Sequence, residues 1–158
     1  MVAEEGTAEE LSRVGPRFPL MPEEMIILFG YNPLELNDAE ADALARRRMP
    51  RYPFAGIRGR AEEAAQALSK IQGRAGRFLV HLDVDVIDFT NCPIADVPQQ
   101  GAGLEAREVI SCVKVFVQSP KFSGLTITEI NPDHADEEGA VLRVFAGSIA
   151  EVLAPVGR

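Results

Sequence analysis

Phe78-Leu79-Val80-His81-Leu82-Asp83-Val84-Asp85-Val86-Ile87-Asp88-Phe89 is the stretch that decides the fold. Its apolar run predicts a strand buried on both faces of a parallel sheet, from Arg77 to about Val86. His81, Asp83 and Asp85 alternate with Leu82, Val84 and Val86. Side chains two apart on a strand share a face, so Asp83 and Asp85 are expected to point the same way from its carboxyl end. Two carboxylates side by side in an apolar setting repel and are poorly solvated unless a cation or a shared proton relieves them. The carboxyl edge of an open α/β sheet is also where ligands bind. The pattern therefore asks for a divalent metal, against the ordinary alternative of acids that cap a helix or meet solvent. Asp88, where the strand ends, reads as a turn or capping residue. His81 shares the face of the two aspartates by parity but lies deeper, and reads as a hydrogen-bonded core residue rather than a ligand.

Size and charge narrow what can surround this strand. At 158 residues the chain fits one domain with a single core. A hydrophobic content of 46% is ordinary for a globular protein, and no window approaches the roughly 20 apolar residues of a membrane span. No basic amino-terminal region precedes an apolar core, so no secretory signal is expected. With 16 basic and 24 acidic residues the net charge is −8, which argues against nucleic acid as a partner. Cys92 and Cys112 form no C-x-x-C arrangement and read as reduced thiols of a cytoplasmic protein.

Working outward, residues 1–23 read as a polar, proline-punctuated lead segment and residues 24–158 as the α/β domain. A strand is expected at Met25–Gly30. Asn37-Asp38 offers an N-cap for a helix over Ala39–Arg48. Tyr52–Ile57 reads as an edge strand, because Pro53 forbids a central one. Ala61–Ile71 predicts a helix with Ala64, Ala65, Leu68 and Ile71 on its buried stripe, closed by Gly73. After the motif strand, Asp88–Gly103 is a long Pro/Gly-bearing loop, a length that is usually functional. Leu104–Gln118 predicts a helix buried along Val109, Ile110, Val113 and Val117. Ser123–Ile130 predicts a strand, and Val141–Leu153 a helix carrying Leu142, Phe145, Ile149 and Leu153. Strands alternating with helices imply βαβ units and a parallel sheet covered on both sides.

The order of three segments resembles the carboxyl-terminal half of the ureohydrolases: arginase, agmatinase, formiminoglutamase and relatives. The segments are His81-Leu82-Asp83-Val84-Asp85-Val86-Ile87-Asp88, Gly103-Leu104-Glu105-Ala106-Arg107-Glu108 and Thr128-Glu129-Ile130-Asn131-Pro132. The resemblance implies a three-layer αβα fold lacking its amino-terminal part. It implies hydrolysis of a C–N bond in a guanidino or amidine substrate at a binuclear manganese centre. Asp83 would bridge the two ions, Asp85 would bind one, and Glu129 would pair with the guanidinium. The chemistry is coherent: two close cations acidify and orient water, and a planar guanidinium matches a carboxylate in a bidentate way.

His81 and Phe89 depart from the family's usual residues, and the Thr90–Gln100 loop lacks its usual wording. The family's metal site also needs a histidine and a D-x-H-x-D from the other half. The only histidines here, His81 and His134, lie in no such motif. His134 reads as a solvated loop histidine, with a replacement ligand as the alternative. The expectation is weak or absent metal binding and no turnover by this chain alone. Completion would come from homo-oligomerisation or a complementing chain. The competing expectation is a non-catalytic scaffold or oligomerisation module. A magnesium-dependent phosphoryl-transfer domain ranks last, because no glycine-rich phosphate loop or G-K-[ST] follows a strand.

Overall fold

A computed structural model of the chain describes residues 15–16, 21–57, 61–96, 103–136 and 138–154. The elements run β1 (Leu28–Phe29), α1 (Asp38–Ala45), β2 (Arg51–Tyr52), α2 (Phe54–Ile57), α3 (Ala61–Gln72), β3 (Phe78–Asp83), α4 (Ala106–Val117), β4 (Phe122–Thr128) and α5 (Ala140–Leu153). Single 3-10 turns lie at Glu23–Met25, Val84–Val86 and Pro132–His134. Most of the lead segment lies outside the described residues.

Both strand pairs are parallel, as the alternation of strands and helices implies. β1 pairs with β2, and β3 pairs with β4 from Phe78 opposite Phe122 to Asp83 opposite Thr128. Among the described residues these are separate two-stranded sheets. Helix starts follow local chemistry. Asn37 caps α1 by accepting from the Glu40 N–H, and the Glu40 carboxylate accepts from the Asn37 N–H, each at 3.0 Å. At α4 the Glu108 carboxylate accepts from the Glu105 N–H at 3.0 Å.

Four expectations change. The strand expected over Met25–Gly30 shrinks to Leu28–Phe29. The edge strand expected over Tyr52–Ile57 is only Arg51–Tyr52, since Pro53 ends it and Phe54–Ile57 turns helical. On α3 the buried residues are Ala64 and Ala67, while Ala65 is exposed; a three-residue step keeps one helix face, a one-residue step leaves it. On α5, Phe145 and Ile149 are buried but Leu153 is exposed in the last turn.

The largest correction concerns β3, which is covered on one face. Leu82 is buried, in one core with Val109 and Val113 of α4 and Phe145 and Ile149 of α5, with Leu125 and Ile127 of β4 packed against it. α3 packs on α4, and α4 on α5. The opposite face carries Leu79, His81 and Asp83, all exposed, Leu79 by 71%. The apolar run reads as doubly buried, yet nothing among the described residues covers that second face.

The long loop is not open along its whole length either. Cys92, Ile94 and Ala95 are buried and join the core. Both thiols are free, and burial pushes Cys112 up to about 11. At the loop's far end Ile87 and Leu104 form a parallel bridge, the Asp88 N–H donating to the Leu104 carbonyl at 2.8 Å. A Cβ on Gly103 would sit 2.3 Å from the Asp88 nitrogen and 2.5 Å from the Ile87 carbonyl carbon. Glycine is required there by backbone contact, not by an unusual φ. Leu104 beside it is 2% exposed. The Gly-Leu-x-x-Arg-Glu segment is thus a docking joint followed by a helix start.

Gly103→Ala is therefore expected to lower stability by about 3 kcal/mol, because backbone rather than a side chain must move. Urea unfolding measures this. A loss under about 0.5 kcal/mol, the scale of an ordinary surface change, would show that the joint yields freely.

Candidate metal and substrate site

β3 ends at Asp83, and Asp85 lies on the 3-10 turn that follows. The strand parity expected for the two aspartates therefore does not apply. They are joined instead by the turn itself: the Asp85 N–H donates to Asp83 Oδ1 at 3.1 Å, an Asx-type arrangement. Asp88 has the role expected of it, its Oδ1 accepting from the Thr90 N–H at 2.9 Å.

Asp85 is half-buried, and its Oδ1 is fully buried with no hydrogen-bond partner. Its pKa is raised from 3.8 to about 6, first by burial and then by the charges of Asp83, Glu129, Asp96 and Glu35. Acids from the end of β3, the end of β4, the long loop and the segment after β1 thus act on one carboxyl group. Asp83 and Glu129 stand out in the sequence. Asp96 and Glu35 do not: Asp96 is in the loop flagged for its length, and nothing local marks Glu35.

Glu129 follows the last residue of β4 and has φ 60, in the left-handed region that costs a non-glycine residue about 1 kcal/mol or more. Its carbonyl accepts from the Asp96 N–H at 2.8 Å. His81 is hydrogen-bonded, as expected, but it is exposed and not a core residue, because it lies on the face of β3 opposite Leu82. Nδ1 lies 2.9 Å from Thr126 Oγ1, and Nε2 3.3 Å from Thr128 Oγ1. His134 Nδ1 lies 2.7 Å from the Ala95 carbonyl oxygen, which only accepts, so that nitrogen carries the proton. The ring meets Phe89 edge-on.

Two properties of Asp85 fit a divalent cation: a partnerless buried oxygen, and a proton affinity raised partly by neighbouring acids. Asp83 and Asp85 would be the donors, both hard oxygen ligands of the kind manganese accepts. Among the described residues, however, no group of three or more His, Cys, Asp and Glu side chains is placed to hold a metal ion. What is present fits part of a metal site.

The family model of arginases matches residues 16–154. The chain belongs to the arginase family. Solved structures resemble it in fold: arginase from Bacillus caldovelox, 19% identical, TM-score 0.79, covering 91% of this chain and 48% of that one; and arginase from Bacillus subtilis, 18% identical, TM-score 0.77, covering 93% and 50%. Formimidoylglutamase from Bacillus subtilis is 19% identical, with TM-score 0.66, covering 82% and 42%. The chain spans about half the length of the solved arginases that it matches. No curated protein matches the sequence. Among the described residues no helix is long and apolar enough to cross a membrane.

The raised Asp85 pKa has a definite sign. Its folded value lies above its unfolded one, so ionising it costs the folded chain stability. That cost is absent below pH 3.8, where both states are protonated, and complete above about 6. Discounted for solvent screening, it is about 1 kcal/mol. Asp85→Asn should stabilise the metal-free chain by about 1 kcal/mol near pH 7.5 and by almost nothing near pH 3.5. Urea midpoints at both pH values decide; an equal gain at both would place the cause outside ionisation.

Proposed function

We propose that this arginase-family chain carries one side of a manganese-dependent centre for hydrolysing the C–N bond of a guanidino or amidine substrate. Asp83 would bridge two ions, Asp85 would bind one, and Glu129 would pair with the cationic end of the substrate. The observation that carries this reading is the Asp85 carboxyl: its buried oxygen lacks a partner, and its proton affinity is raised first by burial and then by the charges of Asp83, Glu129 and Asp96. Manganese, when bound, would supply an acidified, oriented water and stabilise the charge carried by its oxygen as it adds to the substrate carbon.

The chain's own residues orient and exclude. The Asp85 N–H fixes Asp83 Oδ1, leaving the second Asp83 oxygen as a donor. The buried Val84 and Ile87 keep water from the inner side of the turn. The Glu129 carboxylate, one residue past the end of β4, offers a planar, negatively charged partner to a guanidinium.

The open face of β3 supports the second part of the proposal, that the site is completed by homo-oligomerisation or by a complementing chain. A parallel sheet is normally covered on both faces, and a 71%-exposed Leu79 on a strand interior calls for a cover. The same face favours an alternative, a non-catalytic scaffold or oligomerisation module derived from this fold. A cytoplasmic setting suits both readings, given two unpaired thiols.

Calorimetry with manganese separates them. The chain alone should bind weakly, with Kd above about 10 μM, and Asp83→Ala should abolish what binding there is. Micromolar or tighter binding would refute the incomplete site. Parent and Asp83→Ala chains equally indifferent to manganese, differing only in stability, would favour the scaffold. In sedimentation, Leu79→Asp should lower the association state of any oligomer that uses this face; an unchanged mass would move the cover elsewhere.

A further inference from the structure

Glu129 sits between two stretches of backbone that leave it little choice. Before it, β4 is fixed by its ladder to β3 up to Thr128. After it, Ile130 forms an antiparallel bridge with Ala95, and the Asn131 N–H donates to the Ile94 carbonyl at 2.8 Å. Pro132 then restricts Asn131 to extended backbone, where it lies at φ −113 and ψ 104. The chain turns from one anchored stretch to the other at one residue, which takes φ 60.

Side chains close the arrangement. Asn131 Nδ2 donates to Asp96 Oδ1 at 2.9 Å, while Asn131 Oδ1 accepts from the Asp133 N–H at 3.0 Å. His134 Nδ1 donates to the Ala95 carbonyl on the other side of the bridge. The Asp96 N–H itself donates to the Glu129 carbonyl. One end of the long loop, anchored in the core by Ile94 and Ala95 at 0% and 1% exposure, thus grips the turn from both sides. A charged acceptor makes the Asn131–Asp96 bond the strong member of the set.

We propose that Asp96 and Asn131 are positioning residues for the Glu129 carboxylate that meets the substrate: their clasp helps hold Glu129 in its left-handed backbone and so sets the direction of its side chain at the rim. The inference rests on the proposed role of Glu129, yet the clasp can be tested apart from it. Without the clasp only the two backbone anchors hold the turn, so Glu129 also samples an ordinary negative φ and its carboxylate spends part of its time off the rim. This gives the long loop a task of its own, selecting the orientation in which a cationic group is met.

The test uses the full chain and its Asp96→Ala, Asp96→Asn and Asn131→Ala variants by nuclear magnetic resonance. Asp96 is exposed, so its variants should fold; an asparagine keeps an oxygen that accepts from Asn131. In the parent and in Asp96→Asn, the backbone shifts and amide coupling of Glu129 should report the left-handed region. In Asp96→Ala they should shift part of the way toward extended backbone. Methylguanidinium is the second probe. Its effect on the Glu129 carboxylate carbon should need about tenfold more ligand in Asp96→Ala, with most of the loss restored in Asp96→Asn. A Glu129 as fully left-handed in both alanine variants as in the parent would overturn the clasp. A parent chain whose Glu129 does not respond to methylguanidinium, while Asp96→Ala still shifts its backbone, would overturn the substrate role and leave the clasp standing.

Discussion

The parallel ladder between β3 and β4 governs the rest of the site. Because it ends with Asp83 opposite Thr128, the next residues on both strands emerge together at one rim: the turn bearing Asp85 on one side, Glu129 on the other. Shifting the register by one residue would turn every side chain of one strand to its other face. It would move His81 off Thr126 and Leu82 out of the core. The core formed with α4 and α5 fixes that register from below, so packing tens of residues away decides where the acids meet. Their convergence is costly, since each neighbouring charge named for Asp85 pushes its proton affinity upward.

Much of this was legible in the sequence, and what was not has definite physical causes. The helices were legible because capping residues and 3.6-residue periodicity are local: Asn37 with Glu40, or Val109 with Val113, act within a turn or two. Asp83, Asp85 and Glu129 were legible as a set through their order, not through parity. The parity argument failed because Asp83 ends its strand by accepting from the Asp85 N–H, a turn whose apolar neighbours look like more strand. Ala67 was missed and Ala65 misplaced because alanine says little about which face it occupies. Asp96 and Glu35 were beyond reach, since only tertiary folding brings their charges to bear on Asp85.

The open face of β3 is the plainest case of a tertiary override. Leu79 belongs to an apolar run that reads as a doubly covered strand, and among the described residues helices lie against only the other face. The strands also stand in two separate pairs among the described residues, although Phe29 of β1 packs edge-on against Phe116 of α4. Both pairs therefore border the same helical layer without hydrogen-bonding to each other. The chain spans about half the length of the solved arginases that it matches, and strands of a parallel sheet are normally covered on both faces.

The two functional readings account for different observations. A scaffold needs the open face but has no use for a partnerless Asp85 oxygen or a left-handed glutamate. Both are costs, and a neutral residue at 85 or a glycine at 129 would remove them without disturbing Leu79. A cation-binding rim uses both, since a cation offsets repulsion among the acids and a fixed Glu129 gives a planar ligand one orientation. In the proposed reading the open face bears on the rim, since a cover over Leu79, His81 and Thr126 would also approach Asp83 at the end of the same face. Cover and ligand site are linked, in that reading, through Asp83 alone, the one aspartate that lies on the exposed strand face.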